Sequence, residues 1–174
     1  RLETTGGEAI TQLLPPEKLD WDIPLQPTPF DVAGDYVRLG VAHIWSGIDH
    51  LLFVAGLLLL AGTLRRVLLA VTGFTLAHSV TLALSALDVV RLPEAPVEAA
   101  IALSILFVAR EVAWPHPEGL AARNPILVSS SFGLLHGFGF ASALRAVGLP
   151  RGELATALLS FNVGVELGQL RFIA

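Results

Sequence analysis

The stretch Val41-Ala42-His43-Ile44-Trp45-Ser46-Gly47-Ile48-Asp49-His50-Leu51-Leu52-Phe53 leads directly into the apolar run Leu51 to Gly62. A helix needs roughly 20 mostly apolar residues to cross the hydrocarbon core of a bilayer. The stretch therefore reads as a first membrane span, from about Tyr36 to Gly62, that carries two histidines and an aspartate. His43 and His50 are seven positions apart, so on one helix their imidazoles share nearly the same stripe, two turns or about 10 Å apart. Asp49 lies about 100° round the helix from His50. Ionisable groups at this depth are costly and by default indicate a functional site.

Composition supports the same class. The chain of 174 residues is 53% hydrophobic and 15% charged, with a mean hydropathy of +0.68, whereas a soluble domain is roughly a quarter charged. The expected fold is an all-α, polytopic transmembrane helix bundle of about five spans. Residues 1–35 form a Pro-rich, acidic, extracytoplasmic lead, with Arg1 and Lys18 set against Glu3, Glu8, Glu17, Asp20, Asp22, Asp31 and Asp35. Residues 36–174 form the transmembrane domain. Methionine is absent, position 1 included, so the chain is expected to be a processed product or a fragment. A signal peptide would have been removed, and a further span would be missing beyond Ala174.

Four more spans follow the first: about Val67 to Leu87, Val97 to Val112, Ile126 to Val147, and a fifth from near Glu153. Trp114 to Pro125 reads as a polar loop, and Gly148-Leu149-Pro150-Arg151-Gly152 as a turn. Arg65 and Arg66 favour a cytoplasmic first turn, which places the N-terminus outside a bacterial inner membrane. Gly133 and Gly137, like Gly164 and Gly168, have the spacing that lets helix backbones approach closely. There is no cysteine, which excludes disulfides and thiolate ligands. No basic stripe suits nucleic acid. The expected partners are the lipid bilayer and a metal ion, with a homo-oligomer left open.

The later spans bring further polar groups. His78 sits in the second, Glu98 opens the third, His136 is in the fourth, and Asn162 and Glu166 are in the fifth. Taken singly, His78 and His136 read equally well as hydrogen-bonded interior histidines. Glu98 could reach headgroup water, and Asn162 could join two helices. His116, in a Pro-rich loop, reads as solvated. As a set they point to one site, because depth along the helices brings four histidines and the acids Asp49, Glu98 and Glu166 toward the outer half of a single bundle. Imidazole nitrogen with carboxylate oxygen and no sulfur suits a divalent transition metal: nickel, cobalt, zinc or copper. Asp49 reads either as a ligand or as the acceptor that holds a ligating histidine in its tautomer. Protonation of the histidines would compete with metal and make binding pH-dependent.

The combined pattern resembles the HupE/UreJ family of membrane proteins. It comprises His43-x5-Asp49-His50, Phe74-Thr75-x-Ala77-His78-Ser79-x-Thr81, Val97-Glu98-x-x-Ile101-Ala102-x-Ser104-Ile105, Phe132-Gly133-x-x-His136-Gly137-Phe138-Gly139-Phe140-Ala141 and Asn162-x-Gly164-Val165-Glu166-x-Gly168-Gln169. The resemblance covers about Asp35 to the C-terminus. It implies a small helical membrane protein linked to nickel or cobalt uptake, with the transport-associated motif falling on His43, Asp49 and His50. The permeases' second signature, His-Gly-x-x-His-Gly-x-Glu, has a counterpart only in His136-Gly137, with a glutamate appearing later as Glu166, so the chain looks like the divergent second branch. Two other functions remain open at this point. One is an intramembrane zinc-type hydrolase in which Ser79 and Glu166 assist a metal-activated water. The other is a non-transporting sensor or accessory subunit.

Overall fold

The computed structural model describes residues 2–3, 9–10, 28–116, 118–147 and 152–174, with backbone alone at 2–3, 9–10 and 141–147. Most of the expected irregular lead, and most of the expected turn at 148–152, lie outside the described residues. Two short strands, β1 (Leu2–Glu3) and β2 (Ala9–Ile10), pair antiparallel with Leu2 opposite Ile10. All other regular structure described is helical: α1 (Pro29–Ser46), α2 (Ile48–Leu60), α3 (Leu64–Ala86), α4 (Glu94–Ala113), α5 (Leu120–Arg123), α6 (Pro125–Val147) and α7 (Leu154–Ile173).

Helix α1 starts seven residues before Tyr36, and the local sequence explains why. Thr28 and Asp31 form a reciprocal capping box: the Asp31 amide donates to Thr28 Oγ1 at 3.3 Å and the Thr28 amide to Asp31 Oδ2 at 3.0 Å. Pro29 occupies the first helical position, where a missing amide hydrogen costs nothing.

The first expected span is not one helix. It breaks at Gly47, where α1 and α2 meet at 74°. Gly47 is extended (φ −85°, ψ 95°) and caps both helices. Its amide closes α1 onto the His43 carbonyl at 3.0 Å, and its own carbonyl opens α2 by accepting from the His50 amide at 3.1 Å. The Ser46 hydroxyl adds a second bond to the His43 carbonyl at 3.3 Å. Ser/Gly pairs of this kind are a recurrent cause of sharp kinks, because the hydroxyl competes for a carbonyl and glycine tolerates the departure.

The remaining helices pair through small residues. α3 lies along α6 and α1 along α7. A Cβ at Gly133 would fall on the Phe74 backbone, and one at Gly137 on the Thr81 hydroxyl and His78 carbonyl. Gly40 meets the Phe161 carbonyl, and Gly164 meets that of Val37, in the same way. The glycine spacing therefore serves close packing, as expected. Two apolar clusters flank the centre, one around Ile44, Leu82, Phe161 and Val165 and the other around Phe53, Leu57, Phe74 and Val108. In the expected loop at 114–125, the short helix α5 is held by the buried Glu111 carboxylate, which accepts from the amides of Leu120 and Ala121, both at 2.9 Å.

Among the described residues, α3 alone is a single helix long and apolar enough to cross a membrane. The bent pair α1–α2 qualifies as a second span when taken together.

Candidate functional site

The kink determines the site. With α1 and α2 bent at Gly47, the rings of His43 and His50 have centroids 4.5 Å apart in edge contact, not the two turns that a straight helix imposes. Gly47 also makes room for this contact, since a Cβ there would stand 2.6 Å from His50 Nδ1 and 3.0 Å from the His43 carbonyl oxygen. His78 from α3 lies 6.2 Å from His43, and His136 from α6 lies 5.1 Å from His50, centroid to centroid. Four imidazoles from four helices thus form one continuous cluster. His50, His78 and His136 are buried and His43 is partly buried.

Phenylalanines wall the cluster. Phe140 lies 3.9 Å from His43, Phe161 5.5 Å from His43, and Phe74 5.1 Å from His136. These rings exclude water and supply no hydrogen bonds to imidazole nitrogens in their planes.

The hydrogen-bond network sets two tautomers. Asn162 Nδ2 donates to the Leu158 carbonyl at 2.7 Å, which turns Asn162 Oδ1 toward His78 Nδ1 at 3.3 Å. An amide oxygen can only accept, so Nδ1 of His78 carries the proton and Nε2 holds the lone pair. Ser104 gives its one hydroxyl proton to the Ile101 carbonyl at 2.6 Å, and it therefore accepts from His136 Nε2 at 3.2 Å. That leaves the lone pair of His136 on Nδ1. Among the described residues, both lone-pair atoms are buried without a hydrogen-bond partner, as are His43 Nε2 and both nitrogens of His50. Buried polar atoms are nearly always paired, so these five nitrogens, of which one on His50 carries a proton, call for partners such as water or a bound cation beyond the described protein atoms. His43, His50 and His78 each offer a ligand atom, and these three atoms lie within 4.8 Å of one another, a spacing that one cation can bridge.

Asp49 and Glu98 stand at the entrance. A cavity of about 200 Å³ is lined by His43, His50, His136 and Phe140, and both carboxylates border it while remaining exposed. Asp49 sits in the first turn of α2.

Glu166 faces elsewhere. Its Oε1 accepts from Thr72 Oγ1 at 2.6 Å, in a separate, mostly apolar groove of about 340 Å³ between α3 and α7. Asn162 lines that groove too, so it borders both the groove and the histidine cluster. Of the eight residues singled out from sequence, six gather at the cavity or directly behind it as His43, Asp49, His50, Glu98, His136 and His78. Asn162 supports His78, and Glu166 belongs to the lateral groove. Sequence reading gave no role to Gly47, Ser104 or the walling phenylalanines. The Ser46-Gly47 pair inside an apolar run was the available signal for the kink.

A family model described as HupE / UreJ protein matches residues 21–174. The chain belongs to the HupE/UreJ family. The matched region contains the seven described helices and every residue of the histidine cluster. No curated protein matches the chain, and no solved structure does. In this HupE/UreJ chain the His43-x5-Asp49-His50 motif spans a helix break, so its two histidines face each other across a corner.

Proposed function

We propose that this HupE/UreJ protein is a membrane permease for a divalent transition-metal cation of the nickel or cobalt type. The cation is drawn to the exposed carboxylates of Asp49 and Glu98, and it then binds the imidazoles of His43, His50, His78 and His136. The observation that carries this reading is the set of buried, unpartnered imidazole nitrogens at the end of a cavity with an acidic rim. Nitrogen donors without sulfur or an all-oxygen shell favour nickel, cobalt, zinc or copper over magnesium and calcium. A dication also neutralises the cost of leaving several polar atoms unpaired in an apolar surround.

The helices cross the bilayer as about five spans, counting the bent pair as one, in a bacterial inner membrane with the N-terminus outside. Outward-facing Leu59, Leu76, Leu103, Leu106, Leu127 and Leu159 give the bundle an apolar exterior that suits lipid. A helix broken at its ion-binding residues is a recurrent arrangement in transporters, since irregular backbone is tolerated at membrane depth only where it lines a cavity. The hydrolase alternative is less well supported: the Ser79 hydroxyl is donated to the Thr75 carbonyl at 2.6 Å, and Ser79 and Glu166 line the lateral groove, away from the histidine cavity. An accessory role beside a metalloenzyme, without transport, uses the same metal site and is separated from the permease by the uptake assay.

Cells expressing the protein should accumulate Ni²⁺ or Co²⁺ faster than controls, and His50→Ala and Asp49→Ala should each reduce that uptake. Undiminished uptake in both variants, at equal membrane abundance, overturns the proposal.

A further inference from the structure

Three features of the cluster do not fit a single symmetric four-histidine site. First, among the described residues, the three ligand atoms within 4.8 Å of one another belong to His43, His50 and His78, and His136 is outside that set. Second, both nitrogens of His50 are buried and unpartnered. They sit on different edges of the ring, so one ion can take only one of them, yet His50 lies against both His43 and His136, at centroid distances of 4.5 and 5.1 Å. Third, the cavity is lined by His43, His50 and His136 together with the rim acids Asp49 and Glu98, but not by His78, so His43 and His50 border both the cavity and His78. The ion therefore meets His136 before it meets His78.

We infer that the cluster holds the cation at two successive positions that share His50. This rests on the permease reading and extends it. At the cavity position the ion is bound by His136 Nδ1 and His50, with Asp49 or Glu98 supplying negative charge. At the inner position it is bound by His43 Nε2, His50 and His78 Nε2. Ser104 and Asn162 hold His136 and His78 respectively in the tautomer that presents the lone pair to the ion. A neutral imidazole has one free lone pair, so His50 serves one position at a time and the pair holds one ion. Its ring turns to carry that lone pair from the cavity position to the inner one, while the proton stays on the other nitrogen. Sharing a ligand keeps either position from being a deep trap, which is what passage requires.

The test uses purified full-length protein in lipid nanodiscs, with Co²⁺ as the probe, following the visible Co²⁺ spectrum at equilibrium and in stopped flow. Wild type should bind one Co²⁺. His136→Ala should keep the wild-type equilibrium spectrum but load at least about tenfold more slowly, and Ser104→Ala, which keeps the ligand and frees its tautomer, should slow loading in the same direction. His78→Ala should load at the wild-type rate, with weaker binding and an altered spectrum. His50→Ala should lose both phases.

If His136→Ala and Ser104→Ala both load as wild type, the cavity position does not exist. If His136→Ala alters the spectrum as His78→Ala does, all four histidines bind one ion at one position. Two Co²⁺ bound at once would overturn the sharing of His50. Each of these outcomes leaves the permease reading standing, whereas wild-type protein that binds neither Co²⁺ nor Ni²⁺ removes both.

Discussion

A histidine binds metal only through the nitrogen that lacks a proton, so what stands behind the ring matters as much as the ring itself. His78 owes its free Nε2 to Asn162, and the amide can be in only one orientation because its nitrogen is engaged with the Leu158 carbonyl. Replacing Asn162 with alanine removes the only described acceptor for His78 Nδ1 and leaves a donor buried and unpaired, at a cost of about 1–3 kcal/mol in stability. The same change should weaken Ni²⁺ binding roughly 10–100-fold, as loss of an orienting partner typically does. Asn162→Asp, which still accepts from Nδ1, should restore most of the affinity. Calorimetric titration of the two variants checks this, and equal affinity in wild type and Asn162→Ala would show that the amide does not orient the ligand. The candidate residues were legible at this scale because a histidine or carboxylate in an apolar run stands out. Their roles were not, since whether Asn162 ligates, orients or merely joins helices depends on a partner 84 positions away in the chain.

The elements were legible wherever apolar runs were bounded by strong breakers. The second to fourth spans begin and end within a few residues of α3, α4 and α6. The corner in the first span was not, for a physical reason. Apart from His43, Asp49 and His50, Ala42 to Gly56 is apolar either side of Ser46-Gly47, and a single glycine in a helix costs only about 1 kcal/mol, so periodicity alone favours continuing the helix. What pays for the break is remote: His136 and the phenylalanine walls gather round the two rings only when they meet at a corner. Gly47→Ala tests this directly. The added Cβ would stand 2.6 Å from His50 Nδ1, so the His50 ring must shift against His43 and His136, and the proposed ligand shifts with it. Ni²⁺ affinity should fall at least about tenfold, while overpacking lowers stability by only about 1–3 kcal/mol. Parallel measurements of affinity and thermal unfolding separate the two effects. Unchanged affinity would mean that the corner is not needed to position His50.

For the molecule as a whole, the decisive feature is polarity by location: an apolar exterior, a buried imidazole cluster, and two exposed carboxylates bordering the cavity. Charges at a rim walled by low-dielectric material act mainly on encounter, because they concentrate the cation before it reaches its ligands. Neutralising them should therefore change the rate of loading more than the affinity of the inner histidines. The Asp49→Asn, Glu98→Gln double variant should take up Co²⁺ several-fold more slowly than wild type at low ionic strength, and the difference should shrink as salt screens the rim, over a Debye length of about 10 Å at 0.1 M. Stopped-flow loading across a salt series checks this. If the double variant instead loses equilibrium affinity to the same extent at every ionic strength, the carboxylates are ligands at close range, and the cavity position gains an oxygen donor in its coordination shell.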